Sequence, residues 1–405
     1  MSNLLFIGSF FTERQLATLE QDFKGNAGMS NHNFEMSLMK GLRNNIPSGF
    51  ACAILPVTYS FPYHYNKLFT PTECYEDDGL KIFSACICNL AGVNLMWKER
   101  AMYHTLRKAM EAIPSNNVKV IMNCPKTASM SALFKVAKHL NKQIETVLII
   151  PDVPSMITDS LVSGNKLKHF LVSWMDKRNT DLANKFDHFV FLTEQMKELY
   201  APKDYIVMEG IANQPERMTE QICDFGRKKS FLYSGSLHSI YGILDLIEAF
   251  NIGHFPDTEL WICGSGNASE KVRAASEQNP NIKYFGLVSS SKARELQSQA
   301  TVLVNPRNDE GEYTKYSFPS KTMEYLLAGK PVIMNRLPGV PEEYYNYVFT
   351  PEEKTVRSLS SVMETVISMP REELEAKAQA GYHFVAEQKN PKVQMKRVLD
   401  LFDKE

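Results

Sequence analysis

Three consecutive residues, Ser320, Lys321 and Thr322, have the types and spacing expected of an anion-binding helix N-terminus. The backbone N–H groups of a first helical turn have no partner within the helix, and the helix dipole adds positive charge there. The Lys321 ammonium group would strengthen the attraction for a phosphate. Glu324 lies one turn on, on the side of Lys321, where its carboxylate could accept hydrogen bonds from ribose hydroxyls. A cation and a carboxylate so placed suit a nucleotide-diphosphate sugar, and an ordinary capped surface helix is the alternative.

The residues around this stretch define the helix that would hold it. Pro319 suits the first helical position, because its missing N–H is no loss there. Gly329 suits the left-handed residue that ends a helix, and Pro331 prevents continuation. Val332 then begins a strand. The apolar residues of the helix share one face that can pack on a sheet, and they are Met323, Leu326 and Leu327.

The stretch resembles the donor-binding signature of family 4 retaining glycosyltransferases, which have the GT-B fold. Many members carry the pattern Pro-x-Lys-x-x-Glu-Tyr-x-x-x-Gly-Lys-Pro at this point. The matching residues are Pro319, Lys321, Glu324, Tyr325, Gly329, Lys330 and Pro331. The resemblance extends over roughly residues 205 to 345 and is thinner in the N-terminal half. It implies an α/β protein of GT-B fold, with two doubly wound Rossmann-like domains facing a central cleft.

Length and composition are typical of a two-domain globular protein. The chain of 405 residues is too long to fold around one small core. Its net charge of -1 gives no argument for a nucleic-acid partner. The seven cysteines are scattered, as in a protein of a reducing cytosol. The N-terminus predicts a strand from Leu4 to Ile7 rather than a signal peptide, and no apolar run approaches the roughly 20 residues of a membrane span. We therefore expect a cytoplasmic location.

Strand and helix patterns alternate twice along the chain, which predicts two doubly wound units. We expect an acceptor-binding domain over residues 1–205 and a donor-binding domain over residues 206–385. Residues 386–405 are charged and helical, and the resemblance implies that this helix crosses back to the N-terminal domain. The aromatic, proline-containing segment from Tyr59 to Asp78 has no clean period, so it predicts a long irregular excursion.

The loop after the predicted strand Phe231–Ser234 departs from the family pattern. The family places an arginine and a lysine where this chain has Ser236 and Tyr241, so two cations that grip the diphosphate are absent. Gly235 and the N–H groups around Ser236 can still approach a phosphate closely.

Arg307 is a candidate replacement for the missing positive charge. It follows the predicted strand Val302–Asn305, and ligands bind at the carboxyl ends of strands in open α/β sheets. Together with Lys321 it could bind the diphosphate. The alternative is a surface arginine that pairs with Asp309 or Glu310.

A second departure lies just before the signature helix. The family often carries two glutamates separated by seven residues, and Glu324 matches the second while Tyr316 takes the place of the first. In the family the first glutamate contacts the sugar or the reaction centre. A tyrosine hydroxyl can hydrogen-bond a sugar, but it cannot act as a carboxylate. Glu312 lies in the same loop and is a candidate substitute.

Further candidates lie in the loops that would face the acceptor. Asp152 follows a predicted strand, where it could orient or deprotonate an acceptor hydroxyl, or simply cap the next turn. Asn123 ends another strand, and His238 lies in the donor loop. The resemblance implies that the loop with Gly28 and Asn31 lies under the sugar and diphosphate. The alternative is a flexible loop in which Asn31 caps the following helix.

The segment from Leu167 to Trp174 forms an apolar helical stripe flanked by basic residues. One interpretation is a core-facing amphipathic helix with a basic outer face. The other is a helix on an anionic membrane surface, near a lipid-linked acceptor. The second would place the protein peripherally on the inner face of the membrane.

Taken with the resemblance, these features predict a retaining, metal-independent glycosyltransferase of the hexosyltransferase type, in surface polysaccharide or glycoconjugate synthesis. It would move a sugar from a UDP- or GDP-linked donor to a hydroxyl of a glycan or lipid-linked acceptor, without a cofactor. Asp152, Arg307 and Lys321 are the expected catalytic residues. No Asp-x-Asp motif follows a predicted strand, which is why we expect no metal. The alternative is a non-catalytic subunit that binds a glycan or a partner enzyme, because the usual cations are missing.

Overall fold

Two units make up the protein. Unit 1 comprises Met1–Ile211 together with Pro391–Glu405, and unit 2 comprises Ala212–Asn390. This computed structural model describes residues 2–10, 30–46, 49–56, 61–63, 65–77, 79–90, 92–153, 166–213, 229–309 and 311–403. Outside the described part lie Gly28 and the side chains of Asn31, Glu312, Leu167, Phe170 and Leu171.

Unit 1 is built on a mostly parallel sheet. The strands of its described residues are β1 (Leu4–Gly8), β2 (Ala51–Ile54), β3 (Phe69–Thr70), β4 (Glu73–Asp77), β5 (Leu80–Ser84), β6 (Ile87–Cys88), β7 (Asn117–Asn123), β8 (Gln143–Ile150), β9 (His188–Phe191) and β10 (Asp204–Val207). The main sheet has the order β10-β9-β8-β7-β1-β2-β5-β4, and β3 pairs with β6 separately. Its neighbours are parallel, except that β4 runs antiparallel to β5.

Helices connect the parallel strands of unit 1. Those in the described residues are α1 (Ser30–Asn45), α2 (Val93–Glu111), α3 (Thr127–His139) and α4 (Lys166–Ala183). Every residue of β1 is buried, as expected of a central parallel strand that is covered on both faces. Phe6 of this strand shares a hydrophobic core with Leu38 of α1 and Ile54 of β2. Among the described residues, none of the helices combines the length and the apolar character that crossing a membrane requires.

One sequence-based prediction for unit 1 was wrong. The segment from Tyr59 to Asp78 contains strands rather than only irregular chain, because β4 forms a hairpin with β5. Glu76 lies opposite Lys81 across this pair. Opposite charges stabilise such a pair, and charged residues are common on edge strands because they discourage further pairing. The acidic residues that suggested a loop are therefore typical of an exposed sheet edge.

Unit 2 is built on a second parallel sheet. Its described strands are β11 (Lys229–Ser234), β12 (Thr258–Cys263), β13 (Ile282–Tyr284), β14 (Val302–Asn305) and β15 (Val332–Met334). Its helices in the same residues are α5 (Ile243–Ile252), α6 (Ser269–Gln278), α7 (Ser290–Gln299), α8 (Ser320–Leu327), α9 (Val356–Ser368) and α10 (Arg371–Gln388). The strand order β13-β12-β11-β14-β15 is parallel throughout.

The strand order of unit 2 changes direction between β11 and β14. The chain proceeds outward from β11 to β12 and β13, and then returns to the other side of β11 for β14 and β15. In open α/β sheets a crevice forms at such a switch point, outside the carboxyl ends of the strands. Gly235 follows β11 and Arg307 lies just beyond β14, so both lie at this point.

The last helix returns to unit 1. It is α11 (Pro391–Leu399), and the 3-10 turn Asp400–Asp403 follows it. Gly41 of α1 allows the close approach, because a Cβ atom there would lie 2.2 Å from the Pro391 carbonyl oxygen and 2.5 Å from Met395 Cγ. Met395 is fully buried in the same core as Leu38.

Candidate functional site

Two glycines lie together at the carboxyl ends of β11 and β12. The Gly235 N–H donates to the Cys263 carbonyl at 2.9 Å. Gly264 has a φ of 138°, and a Cβ atom there would lie 1.7 Å from the Gly235 carbonyl oxygen. Only glycine fits at position 264, because both the backbone conformation and the space exclude a side chain. The result is a loop without bulky side chains at the switch point.

Lys321 lies directly against this glycine loop. A Cβ atom added to Gly235 would lie 2.7 Å from Lys321 Cε, so the absent side chain makes room for the lysine. The Lys321 ammonium group lies 3.1 Å from Glu324 Oε2. The structure thus brings together Gly235, Lys321 and Glu324, three of the residues singled out from the sequence.

The polar network behind Glu324 fixes the start of helix α8 relative to β11. Gln297 is buried, and its amide donates to Glu324 Oε1 at 2.7 Å and to Ser234 Oγ at 2.9 Å. The buried Tyr325 hydroxyl accepts the Ser234 N–H at 2.9 Å. Burial raises the pKa of Tyr325, so it remains a neutral hydroxyl. Gln297 thus holds one oxygen of Glu324 and Lys321 pairs with the other, while the side chain remains exposed.

Helix α8 begins at Ser320, with Pro319 as the preceding N-cap in an extended conformation. The expectation placed Pro319 inside the helix and counted three free amides. Instead, the Thr322 N–H donates to the Pro319 carbonyl at 2.9 Å. Thr322 is also fully buried, with its hydroxyl 3.7 Å from the sulfur of Met334. The amides of Ser320 and Lys321 are therefore the ones that fit an anion at this terminus.

Arg307 is buried between two aromatic rings. It is 9% exposed, and its guanidinium carbon lies 5.7 Å from the Tyr241 ring centre and 5.5 Å from that of Tyr313. Its Nε atom has no hydrogen-bond partner among the described residues. Asp309 pairs with Lys354 rather than with Arg307. The alternative of a surface arginine paired with Asp309 does not hold, and Glu310 lies outside the described residues.

The loop that carries Arg307 is fixed by side-chain amides. The buried Asn335 donates to the carbonyls of Pro306 and Arg307 at 3.1 and 3.3 Å, and to Asn308 Oδ1 at 2.8 Å. Asn308 in turn donates to Asp245 of α5 at 2.6 Å. Asn335 positions this loop, and no motif in the sequence pointed to it.

Tyr241 has a clear role in this arrangement. It stands where the family has a lysine, and its ring contacts the guanidinium of Arg307. Cation–π contacts of this kind favour a buried cation without neutralising it. Tyr241 therefore replaces the lysine of the family pattern with a ring that packs against another cation, Arg307.

The other donor-loop candidates lie around Tyr233. Its hydroxyl donates to the Ser236 carbonyl at 2.7 Å, while the Ser236 side chain is exposed. Burial raises the pKa of Tyr233, and the Arg307 charge acts in the opposite direction. His238 is exposed, with its ring 6.2 Å from that of Tyr241. Tyr316 is buried in the 3-10 turn Glu312–Tyr316, beneath the ammonium group of Lys315.

Unit 1 has a buried carboxylate at the carboxyl end of β1. Glu35 of α1 is 2% exposed, and its Oε2 atom accepts the Ser9 N–H at 2.6 Å. Burial raises the pKa of Glu35, although the Ser9 bond, the Lys126 charge and an Asn123 hydrogen bond oppose the rise. The Ser9 hydroxyl accepts a bond from Lys126 and donates to the Leu55 carbonyl at 2.7 Å. Sequence reasoning missed Glu35, Ser9 and Lys126, because none of the three belongs to a motif and only the fold brings them together.

Asn123 lies at the same edge of the sheet and is buried. Its Oδ1 atom has no hydrogen-bond partner in the part of the chain that the structure describes. Burial, together with the charge of Lys126, lowers the pKa of the Lys98 ammonium group in α2. An unpaired acceptor at the sheet edge that also holds Glu35 and Lys126 is an arrangement that a ligand with hydroxyl and anionic groups could complete.

Asp152 follows β8 and is exposed. Partial loss of hydration raises the pKa of the Asp152 carboxyl. Burial raises the pKa of the Cys124 thiol, and the negative charge of Asp152 adds to that rise. Among the acceptor candidates, the structure therefore brings Asp152 and Asn123 to the carboxyl edge of one sheet. Asn31 lies in the first turn of α1, with its side chain outside the described part.

Helix α4 carries the stripe that suggested either a core helix or membrane contact. Trp174 is 54% exposed, and the guanidinium of Arg178 lies 5.9 Å from its ring centre. Met175 beside it is also exposed. At these positions the helix presents an aromatic and apolar surface together with a cation.

Unit 2 matches a known protein family. Residues 228–368 match the family model described as Glycosyl transferases group 1, which supports glycosyl transfer as the chemistry of this unit. The match contains the glycine loop, Arg307 and helix α8. A search of curated proteins finds no match.

Solved structures share the architecture over nearly the whole chain. The UDP-forming α,α-trehalose-phosphate synthase from Burkholderia xenovorans, in complex with glucose-6-phosphate, has 9% identity and a TM-score of 0.63, with 100% of both chains covered. The lipopolysaccharide outer core galactosyltransferase WaaB has 16% identity and a TM-score of 0.59, with 99% of both chains covered. HepE from Anabaena, in complex with UDP, has 10% identity and a TM-score of 0.60, with 99% of both chains covered. The fold is GT-B. The predicted α/β class and GT-B fold are confirmed.

Proposed function

We propose that the protein is a retaining glycosyltransferase that moves a sugar from a nucleotide-diphosphate sugar to a hydroxyl of a glycan or lipid-linked acceptor. The observation that carries the proposal is the contact of Lys321 with Gly235, beside Glu324, at the switch point of unit 2. The match of residues 228–368 to group 1 glycosyltransferases supports it. UDP is the first nucleotide to test, because two similar structures are described as UDP-forming or as UDP complexes.

The donor would bind with its diphosphate between Lys321 and Arg307. The amides of Ser320 and Lys321 would contact phosphate oxygens at the positive end of α8. Glu324 would accept hydrogen bonds from the ribose hydroxyls. These groups are fixed before the reaction, so they can stabilise the charge that develops on the departing diphosphate.

The acceptor would bind at the carboxyl edge of the unit 1 sheet. Asp152 is the proposed base for the attacking hydroxyl, because its raised pKa makes it a better proton acceptor than an ordinary aspartate. Asn123 would accept a hydroxyl hydrogen at its unpartnered Oδ1 atom. Attack on the same face as the departing nucleotide would retain the anomeric configuration without a protein nucleophile.

We also propose that turnover needs no metal ion, because Lys321 and Arg307 would supply the positive charge that the diphosphate needs. Transfer should continue at an undiminished rate after dialysis against a chelator. Complete loss that magnesium or manganese restores would disprove this part alone. Surface polysaccharide or glycoconjugate synthesis is the proposed pathway, from the family resemblance.

A thermal-shift screen of nucleotide sugars tests the function. UDP-glucose, UDP-galactose, UDP-N-acetylglucosamine and GDP-mannose are suitable probes, and a binder at 100 times its Kd stabilises the folded state by about 2.7 kcal/mol. The shift should largely disappear in Lys321→Ala and remain in Lys292→Ala, since Lys292 makes a comparable exposed ion pair with Glu295. Release of free nucleotide on adding an acceptor would then demonstrate transfer.

The same screen addresses the non-catalytic alternative. That alternative is favoured by the loss of two family cations at Ser236 and Tyr241. If no nucleotide sugar shifts the melting temperature and none is hydrolysed, the transferase proposal fails. A glycan-binding or partner-binding subunit would then be the better account.

A further inference from the structure

Unit 1 contains a cavity of about 320 Å³ between helix α2 and the hairpin of β4 and β5. Its charged and polar lining includes Arg100, His104 and Lys108 from the helix, and Glu73 and Ser84 from the strands. None of these residues belongs to the candidate sites described above. The volume lies at the lower end of the range for small-molecule pockets, and it fits one or two sugar units.

The helix side of the cavity is basic. Arg100, His104 and Lys108 are spaced four residues apart, so they lie on one face of α2. No side-chain hydrogen bond or ion pair joins Arg100 or Lys108 to a described residue. Arg107 of the same helix, by contrast, pairs with Glu111 at 2.8 Å on a different face. Two unpaired cations against the single carboxylate of Glu73 give the cavity an excess of positive charge.

The cavity also has an aromatic wall. Trp97 is 39% exposed, and its indole N–H donates to the Cys86 carbonyl at 2.9 Å, which fixes the ring plane. Phe83 lines the same space, and the Phe69 ring lies 5.9 Å from that of Trp97. A fixed aromatic face suits the apolar C–H face of a sugar ring, whereas inorganic anions need no such surface.

The cavity reaches the edge of the sheet where the acceptor is proposed to bind. Ser84 ends β5 in register with Ile54 of β2, and Ile54 is in register with Gly8 of β1. Two strand spacings separate β5 from β1, which is about 10 Å. Ser84 at the rim of the cavity is therefore about two sugar units away from Gly8, which precedes Ser9 of the Ser9 and Glu35 cluster.

We propose that this cavity binds an acidic sugar unit of the acceptor, which carries a carboxylate or a phosphate group. Arg100 and Lys108 bind the anionic group, and Trp97 stacks on the sugar ring. The identification of this unit as part of the acceptor rests on the proposed transferase function. The bound unit would orient the acceptor while its attacking hydroxyl lies near Asp152.

Direct binding of simple probes to the full-length protein tests this proposal. Glucuronic acid, glucose 6-phosphate, glucose and inorganic phosphate would be titrated by calorimetry or ligand-observed NMR. One or both acidic sugars should bind, and glucose and inorganic phosphate should bind at least tenfold more weakly. The two acidic probes distinguish a carboxylate from a phosphate ligand.

Variants then locate the binding. Arg100→Gln combined with Lys108→Gln should weaken the acidic sugar at least tenfold, and Arg107→Gln on the same helix should leave it unchanged. These side chains are exposed, so both variants should melt at the wild-type temperature. Unchanged binding in the double variant, or equal binding of glucose, would overturn the proposal. So would equally tight binding of inorganic phosphate, which would indicate an anion site without sugar recognition.

A nucleotide-sugar titration of the same samples separates this proposal from the transferase function. If nucleotide sugars bind and acidic sugars do not, the cavity proposal fails alone. If acidic sugars bind as expected and no nucleotide sugar binds, the transferase function fails. The cavity then remains an acidic-sugar site, and its assignment to an acceptor is withdrawn.

Discussion

Arg307 is a buried cation that contacts aromatic rings and pairs with no carboxylate in the described part of the chain. Burying a guanidinium without a counter-ion is costly, because the lost hydration is not replaced. The contacts with Tyr241 and Tyr313 offset part of that cost. A bound diphosphate would supply the missing negative charge, which is why we assign Arg307 to the donor.

The first prediction concerns the two cations together. Lys321→Ala and Arg307→Ala should each lower kcat more than they weaken binding of the free nucleoside, because the developing charge lies on phosphate oxygens. Removing one such group costs roughly 100-fold in kcat where it acts alone. Each cation can partly replace the other. The increase in activation free energy in the double variant should therefore exceed the sum of the increases in the two single variants. Steady-state kinetics of the three variants measure this, and near-normal turnover of the double variant would contradict it.

Glu324 provides the second prediction. Glu324→Ala removes the proposed acceptor of the ribose hydroxyls and should weaken nucleotide binding by about 1.5–3 kcal/mol, as for a charge-assisted hydrogen bond. Calorimetric titration with UDP and GDP measures the effect. Glu295→Ala is the matched control, since Glu295 pairs with Lys292 at the same i,i+3 spacing on an exposed face. An unchanged affinity in Glu324→Ala would exclude the ribose role.

At the scale of elements, the turn after β11 and the start of α8 are fitted to each other. Gly235 does not have a positive φ, so alanine is allowed by the backbone, and the obstacles are Lys321 Cε at 2.7 Å and the Tyr233 hydroxyl at 3.1 Å. Gly235→Ala should therefore displace the lysine while changing the melting temperature little. We expect kcat to fall roughly 10- to 100-fold, as for a catalytic group that is misplaced by about 1 Å.

Gly264→Ala is the informative comparison for that variant. Its Cβ atom would lie 1.7 Å from the Gly235 carbonyl oxygen, in a backbone conformation with φ of 138°. This variant should have both a lower melting temperature and a lower kcat. If Gly235→Ala also lowers the melting temperature to the same extent, Gly235 is needed for the fold rather than for the position of Lys321.

The packing of α1 against the end of β1 makes the stability of the protein depend on pH. Burial raises the pKa of Glu35 above its ordinary 4.5, so the folded protein holds this proton to a higher pH than the unfolded chain. The folded state then binds more protons from pH 4.5 upward, and the contribution of Glu35 to stability falls as the pH rises. Glu35→Gln cannot ionise. Its melting temperature, relative to wild type, should therefore rise as the pH increases from 4.5.

Glu99 offers a control of opposite sign. Burial acts to raise its pKa, but hydrogen bonds from Lys135 and Ser131 outweigh this effect and leave the pKa lowered. Its stabilising contribution is present above pH 4.5 and is lost as the pH falls. Glu99→Gln should be offset from wild type by a constant amount above pH 5. A rising trend in both variants would mean that other groups cause the dependence seen with Glu35.

At the scale of the whole molecule, local sequence signals predicted the repeated α/β elements well. Val302–Asn305 was predicted as a strand and is one, and Gly329 ends its helix with a φ of 63°. Apolar runs and helix-ending glycines depend on neighbours a few residues away, so the sequence displays them. The match of Lys321 and Glu324 to a known signature works in the same way.

Contacts between distant residues could not be predicted. Tyr241 and Arg307 are 66 positions apart, and nothing local shows that the ring holds the guanidinium. Glu35 becomes buried only because α1 packs over the end of β1. The edge strand β4 was missed because its polar residues are also typical of a loop. In each case tertiary packing gives a residue a role that its own type and spacing do not indicate.

The division into units gives the last prediction. Unit 2 contains two hydrophobic cores, one around Phe231 and one around Tyr325, and both consist of residues between 212 and 390. By contrast, α11 contributes Met395 and Val398 to the core of unit 1. A fragment of residues 212–390 should therefore fold and bind the nucleotide sugar, but it should not transfer the sugar because Asp152 and Asn123 are absent. Circular dichroism, the thermal-shift assay and nucleotide release measure these three properties. A fragment of residues 1–390 is the complementary test: without α11 it should keep nucleotide binding and lose stability in unit 1. An isolated unit 2 that fails to fold would show that its cores need support from unit 1, and one that transfers sugar would exclude the proposed roles of Asp152 and Asn123.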